Sequence, residues 1–220
     1  MKIGIILAMQ KEMDAIASVL GGNEGAINGN TIKLMLSGIG KVNAAVHATQ
    51  LINEFKPDCI ISSGCAGGLR KGVGLMDVVA SREVAYHDVW CGVENEKGQI
   101  QGLPVRFRSS DALYETAMKL DTETKIHGGL ICSGDQFIDT PEASEKIRSN
   151  FPDVLAADME SGAIAQVCHI FNVPFISFRV VSDAYGEENR CAQYDNFWAE
   201  IGKRSFGVIS EYLNNLPKSI

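Results

Sequence analysis

The chain has 220 residues, 45% of them apolar and 21% charged, with a formal net charge of −7. That mixture excludes a disordered chain, and the acidic surplus argues against a polyanion-binding surface and so against nucleic acid as a partner. No linker, repeat or charge block divides residues 1–220, which read as one domain long enough to bury a sizeable core.

The opening run "MKIGIILAMQKEM" starts with a strand pattern at 2–8 and passes into a helical pattern at 10–19. It is too short to span a membrane and lacks a signal-peptide cleavage pattern, so the expected location is the cytoplasm and no membrane contact is expected. Glu12 falls in the first helical turn, where an acid complements the helix dipole whether or not it has another task. A second strand at 32–37 ends in "SGIGKVNAA", followed by a helix over 41–55. This is neither a Walker loop nor G-x-G-x-x-G, because Gly38 and Gly40 are one residue apart and Asn43 holds the last place; it reads as a tight turn and helix start.

A third strand, 58–64, runs into "SSGCAGGL", whose Gly64, Gly67 and Gly68 allow backbone to approach a ligand closely. Strands follow at 77–81 and 128–134, with a helix over 110–119 between them. After the strand at 128–134 comes "SGDQFI", where Phe137 is either ordinary core or a ring for stacking on a flat ligand. A helix over 141–149 precedes "VLAADMESGAIA", in which an apolar strand turns into a helix over 160–171 and Asp158 is placed as its cap. The last strand, 174–182, delivers Asp183, and a helical pattern covers 193–215.

Continuously apolar strands alternating with helices predict a three-layer αβα sandwich around a central, mixed sheet. Ligands in such folds sit beyond the carboxyl ends of the strands, where Glu12, Glu160 and Asp183 fall among glycine-rich turns. Their spacing is wrong for a metal carboxylate cluster, and the six cysteines and four histidines form no zinc or redox motif. Reduced, mostly buried thiols are expected.

Taken in order, "MKIGIILAMQKEM", "SGIGKVNAA", "PDCIISSGCAGGL", "VAYHD", "SGDQFI", "KIRSNFP", "DMES" with "AIA" and "NVPFISFRVVSD" resemble the 5'-methylthioadenosine/S-adenosylhomocysteine nucleosidases of the nucleoside phosphorylase superfamily. The resemblance runs from residue 1 to about 186 and implies a nucleoside phosphorylase-like fold, a small-molecule nucleoside substrate, a homodimer and no cofactor. It implies that Glu12 activates the water attacking the ribose C1', and that Asp183 protonates N7 of the departing adenine. Glu160 would bind the ribose hydroxyls, Met159 would pack on the sugar, Phe137 would stack on adenine and the Ile138 backbone would read its edge. Arg179 would lie near the catalytic acid or water, and Met9 would line the wall toward the 5' substituent. His87 is a candidate for the 5' group or a surface histidine.

Glycosidic cleavage builds positive charge on the sugar and negative charge on the base, so it needs an ionised carboxylate near C1' and a protonated acid near the base. Burial behind "FISFRVVS" is expected to keep Asp183 protonated, and Arg179 to keep Glu12 ionised. The phosphorylases of the superfamily place arginines in the glycine loops, whereas this chain offers Glu12, Ser62 and Ser63, so water is the expected nucleophile. Cys65 stands where the nucleosidases have Ser, and the stretches after "YHD" and after residue 186 diverge from the family. A phosphorylase, a nucleosidase for another purine nucleoside and a catalytically inactive nucleoside-binding module remain the alternatives.

Overall fold

Alternating apolar side chains along the first strand already divide the core in two: Ile3, Ile5 and Leu7 pack into one cluster and Ile6 into another. The computed structural model describes residues 1–186, 192–194, 197 and 205–220. Its strands are β1 (Lys2–Leu7), β2 (Glu24–Ile27), β3 (Asn30–Leu36), β4 (Cys59–Gly68), β5 (Val78–Tyr86), β6 (Phe107–Arg108), β7 (Ile126–Ser133), β8 (Val154–Asp158) and β9 (Phe175–Asp183). The helices are α1 (Gln10–Leu20), α2 (Lys41–Phe55), α3 (Asp111–Met118), α4 (Pro141–Asn150), α5 (Ser161–Phe171) and α6 (Ser205–Asn215).

All nine strands join one mixed sheet in the order β2-β3-β1-β4-β8-β7-β5-β6, with β9 pairing both β4 and β5. The contacts β4–β8, β8–β7, β7–β5, β5–β9 and β9–β4 close a circuit of five strands within that sheet. Closure removes the edges that β4 and β9 would otherwise expose. Helices α1, α3 and α6 supply side chains to the cluster on one face, and α2 and α5 to the cluster on the other. The expected layering of helices around a mixed sheet is therefore present.

Element ends differ from the sequence reading where tertiary pairing overrides local propensity. The glycine-rich run after residue 64 was expected to leave the strand; instead β4 continues through Gly68, held by β9 on one side and β8 on the other, with a register shift between Ala66 and Gly67. Strand β5 extends to Tyr86 because β7 pairs along it, and the short strands β2 and β6 complete the sheet's two ends. Of the helical pattern at 193–215, Ser205–Asn215 is helix, and the positions before it lie largely outside the described residues. Among the described residues Cys59, Cys65, Cys91, Cys132 and Cys168 are free thiols, and no helix is long and apolar enough to cross a membrane.

Tyr212 ties three elements together. Its ring stacks on Phe178 of β9 at 5.0 Å between centroids, and its hydroxyl donates to the Leu113 carbonyl of α3 at 3.0 Å. It is fully buried. Tyr212→Phe, which keeps the stack and removes the hydrogen bond, is expected to cost about 1 kcal/mol of stability. Tyr212→Ala, which also opens a cavity, is expected to cost about 3–5 kcal/mol. Denaturant unfolding of the two variants reads the difference; equal losses would refute the division of labour.

Candidate active site

Glu12 sits where β1 gives way to α1, and its carboxylate folds back over that junction. Oε2 accepts the Ala8 and Met9 N–H groups, both at 3.0 Å, and Oε1 accepts the Cys65 N–H of β4 at 3.0 Å. Two of these donors belong to the helix entrance, so the dipole reading of Glu12 holds, while the third fastens α1 to the central strand. The side chain is 1% exposed yet lines a cleft. Burial pushes its carboxyl above the ordinary carboxylate range, opposed by the Arg179 charge and the three backbone donors.

Gly64 explains why β4 can pass this point. Its φ is +146°, and a Cβ there would lie 2.6 Å from both Arg179 Nη1 and Glu12 Oε1. Any side chain would drive between the acid and the guanidinium.

Arg179, on β9, is the buried hub. Its Nη2 pairs with Asp158 Oδ2 at 2.7 Å and donates to Ser62 Oγ at 2.7 Å, while Nη1 lies 3.6 Å from Glu160 Oε2. Nε donates to Ser161 Oγ at 3.2 Å and to Ser177 Oγ at 3.3 Å. Asp158 was expected to cap α5, but Glu160 holds the N-cap position; from two residues before it the Asp158 carboxylate accepts the Ser161 N–H and hydroxyl. Glu160 accepts the Gly40 N–H through Oε1 at 3.0 Å. Burial, outweighing the pull of Arg179, pushes the Glu160 carboxyl up to about 7, with the Asp158 charge adding to the rise.

Asp183 ends β9 in a buried position, with the Ser182 hydroxyl donating to its Oδ1 at 2.7 Å. On the opposite wall, the turn after β7 presents Phe137, 48% exposed, followed by buried Ile138. Phe137 meets Tyr194 edge-to-face at 5.5 Å, and the Tyr194 hydroxyl lies 3.5 Å from Met9 Sδ.

These side chains converge on one cleft enclosing about 630 Å³ of atom-free space including its mouth. Met9, Glu12, Cys65, Phe137, Ile138, Met159, Glu160 and Asp183 all line it, and Arg179 lies directly behind it through Glu160. His87 is not among the lining residues: its ring packs against Gly134, beneath the turn that carries Phe137. Trp90 stays outside as well, half-exposed with Lys97 Nζ 3.6 Å from its ring centroid. Sequence reasoning missed the pairing of Asp158 with Arg179 and the place of Tyr194 in the wall. The only sequence signal for Tyr194 was an aromatic in a stretch that departs from the family pattern. Among the described residues, no group of three or more His, Cys, Asp or Glu side chains is arranged to hold a metal.

Comparison with known proteins agrees with this geometry. Residues 2–214 match the family model described as the phosphorylase superfamily. A 5'-methylthioadenosine/S-adenosylhomocysteine nucleosidase of Haemophilus influenzae (strain 86-028NP) is 37% identical, the match covering 98% of this chain and 100% of that protein. The crystal structure of the Neisseria meningitidis nucleosidase in complex with methylthio-immucillin-A superposes with a TM-score of 0.91 at 36% identity, covering 98% of this chain and 99% of that one. The Colwellia psychrerythraea 34H nucleosidase in complex with adenine gives a TM-score of 0.91 at 33% identity, covering 100% and 97%.

Replacing Arg179 by Met would leave Asp158 and Glu160 buried without their counter-charge, at an expected cost of about 3–5 kcal/mol. Without the lowering pull of Arg179 the buried Glu160 carboxyl would rise further above its unfolded-chain value, so the folded state binds more protons than the unfolded one and stability falls as pH rises. The deficit relative to wild type is therefore expected to be largest near about pH 8 and to shrink toward about pH 5. Urea titrations across that range check it, and a pH-independent deficit would contradict the ion-pair reading.

Proposed function

Because this chain belongs to the phosphorylase superfamily, and within it to the 5'-methylthioadenosine/S-adenosylhomocysteine nucleosidases, we infer that it hydrolyses the N-glycosidic bond of those two nucleosides, releasing adenine and the 5-substituted ribose. The observation that carries hydrolysis over phosphorolysis is the charge of the cleft. Its described lining holds four acids, Glu12, Asp158, Glu160 and Asp183, and no lysine or arginine. The guanidinium nearest to it, Arg179, is engaged by Asp158 and Glu160. A phosphate dianion would meet carboxylates there, whereas water meets hydrogen-bond acceptors.

In this reading Glu12 is the base that takes a proton from the attacking water. Its three backbone donors fix the carboxylate in one orientation, and its raised affinity for protons makes it a better acceptor than an exposed glutamate. Asp183 delivers a proton to N7 of the base, which leaves as neutral adenine. Glu160 receives the ribose hydroxyls and Met159 packs on the sugar, aligning C1' with the water. Phe137 stacks on adenine, the Ile138 backbone reads its edge, and Met9 and Cys65 form the wall beside the sugar and its 5' group. Arg179 acts on this chemistry by holding Glu160 and lowering the charge cost near Glu12. The same cleft suits 5'-deoxyadenosine as a smaller substrate.

The single sheet running from Lys2 to Asp183 supports one domain. Exposed Ile39, Val42 and Val46 on and beside α2 support a homodimer, and the five free thiols among the described residues support a cytoplasmic, reducing setting.

The decisive experiment is adenine release from 5'-methylthioadenosine in phosphate-free buffer. Release with free methylthioribose as the sugar product is expected, and dependence on added phosphate would overturn the hydrolytic reading. Glu12→Gln and Asp183→Asn are each expected to lower turnover by at least ~100-fold. Near-normal turnover in either would remove that residue from its role.

The raised Glu160 carboxyl also has a pH signature. Ribose hydroxyls donate to the ionised form, so binding lowers its pKa below the free value of about 7 and expels a proton. Affinity for a nucleoside analogue is therefore expected to weaken as pH falls through about 7, with proton release measurable by calorimetry in buffers of different ionisation enthalpy. Glu160→Gln should abolish the release; its persistence would assign the proton to another group.

A further inference from the structure

A polar cluster at the rim of the cleft joins three segments that are distant in sequence. The start of α2 lies between two acids: the N–H of its N-cap residue Gly40 donates to Glu160 at 3.0 Å, and the Lys41 N–H donates to Asp135 Oδ1 at 2.8 Å. The Lys41 ammonium reaches Asp88 Oδ2 at 2.7 Å, and that same oxygen accepts the Asp135 N–H at 2.9 Å. Lys41, Asp88 and Asp135 thus close a ring of hydrogen bonds, with Asp135 Oδ2 at 4.0 Å from the ammonium. The fit is tight. Gly40 has φ +93°, and a Cβ there would lie 3.0 Å from Asp135 Oδ1.

A solvated ion pair is the plainer explanation, and most such pairs contribute little. Three features set this one apart. The side chains of Lys41 and Asp88 are 26% and 24% exposed, the ammonium also sits 5.3 Å from the Tyr86 ring centroid, and every link leads to a residue adjoining the cleft. Asp135 stands two residues before Phe137 and three before Ile138, while Gly40 holds Glu160.

We propose that Lys41 is a positioning residue, whose bridge from Asp88 to Asp135 fixes the turn carrying Phe137 and Ile138 at the separation from Glu160 that an adenine nucleoside spans. The proposal rests on the reading of Phe137 and Ile138 as the base site. Lys41 touches no substrate; it works by keeping the base wall and the sugar clamp in register, because small misplacements in a preorganised site cost affinity.

The test is calorimetric binding of adenine, together with kcat and KM for 5'-methylthioadenosine, in wild type, Lys41→Met, Lys41→Arg and, as a remote control, Lys33→Met, which loses a surface pair with Glu24 and a contact with the Phe55 ring, away from the cleft. Lys41→Met is expected to weaken adenine binding and raise KM by about fivefold, with kcat within about twofold and an unchanged melting temperature. Lys41→Arg should recover most of the binding, and Lys33→Met should match wild type. Adenine is uncharged, so added salt should weaken its binding to wild type and leave Lys41→Met unaffected. If wild type binds adenine and Lys41→Met binds it equally, the proposal fails alone. A joint fall of kcat and melting temperature in Lys41→Met would also overturn it, leaving a purely structural role. Failure of wild type to bind adenine would overturn the base-site reading and this proposal with it.

Discussion

The site depends on one buried guanidinium. Arg179 is 1% exposed and faces Asp158 and Glu160 directly, with Glu12 close enough to feel its charge. Burial outweighs the pull of this one cation on Glu12 and Glu160, so these two acids retain protons more strongly than they would in water. That is how Glu12 and Glu160 come to have raised proton affinity in one cleft. It is also why serines surround the hub: Ser62, Ser161 and Ser177 accept the remaining guanidinium protons without adding charge.

The fold sets the hub's position. Strands β4 and β9 run parallel through the closed circuit, with Gly64 opposite Arg179 in their register. The absent side chain at Gly64 leaves the space in which the guanidinium and the Glu12 carboxylate approach each other. The first turn of α1, just past β1, then supplies Glu12, the end of β8 and the start of α5 supply Asp158 and Glu160, and the end of β9 supplies Asp183. Each acid reaches the cleft because a strand stops at or just before it, and Glu12 and Asp158 also accept backbone N–H groups at the helix starts there. Asp158 joins two elements in this way, accepting the Ser161 N–H at the start of α5 while pairing with Arg179 of β9.

Much of this was legible in the chain. Apolar runs alternating with helical patterns gave the layered α/β architecture, and the positions of Glu12, Glu160 and Asp183 after those runs marked the cleft. The motif order carried the family. What local reading mistook was the glycine-rich stretch after residue 64: by propensity it leaves the strand, but pairing with β8 and β9 keeps it in the sheet through Gly68. His87 illustrates another limit. The residues left it between the 5' group and the surface, and only packing shows its ring against Gly134, outside the residues that line the cleft.

By itself, then, the sequence determined which residue types are available and roughly where each strand ends, because hydrophobic periodicity and turn chemistry are local properties. Only the tertiary structure decided which charges share a dielectric environment. The pairing of Arg179 with Asp158 and Glu160, the Cys65 N–H donated to Glu12, and the ring of Lys41, Asp88 and Asp135 all join residues far apart in the chain. Electrostatic coupling depends on distance through space and on burial, and neither is written in the order of residues along a strand.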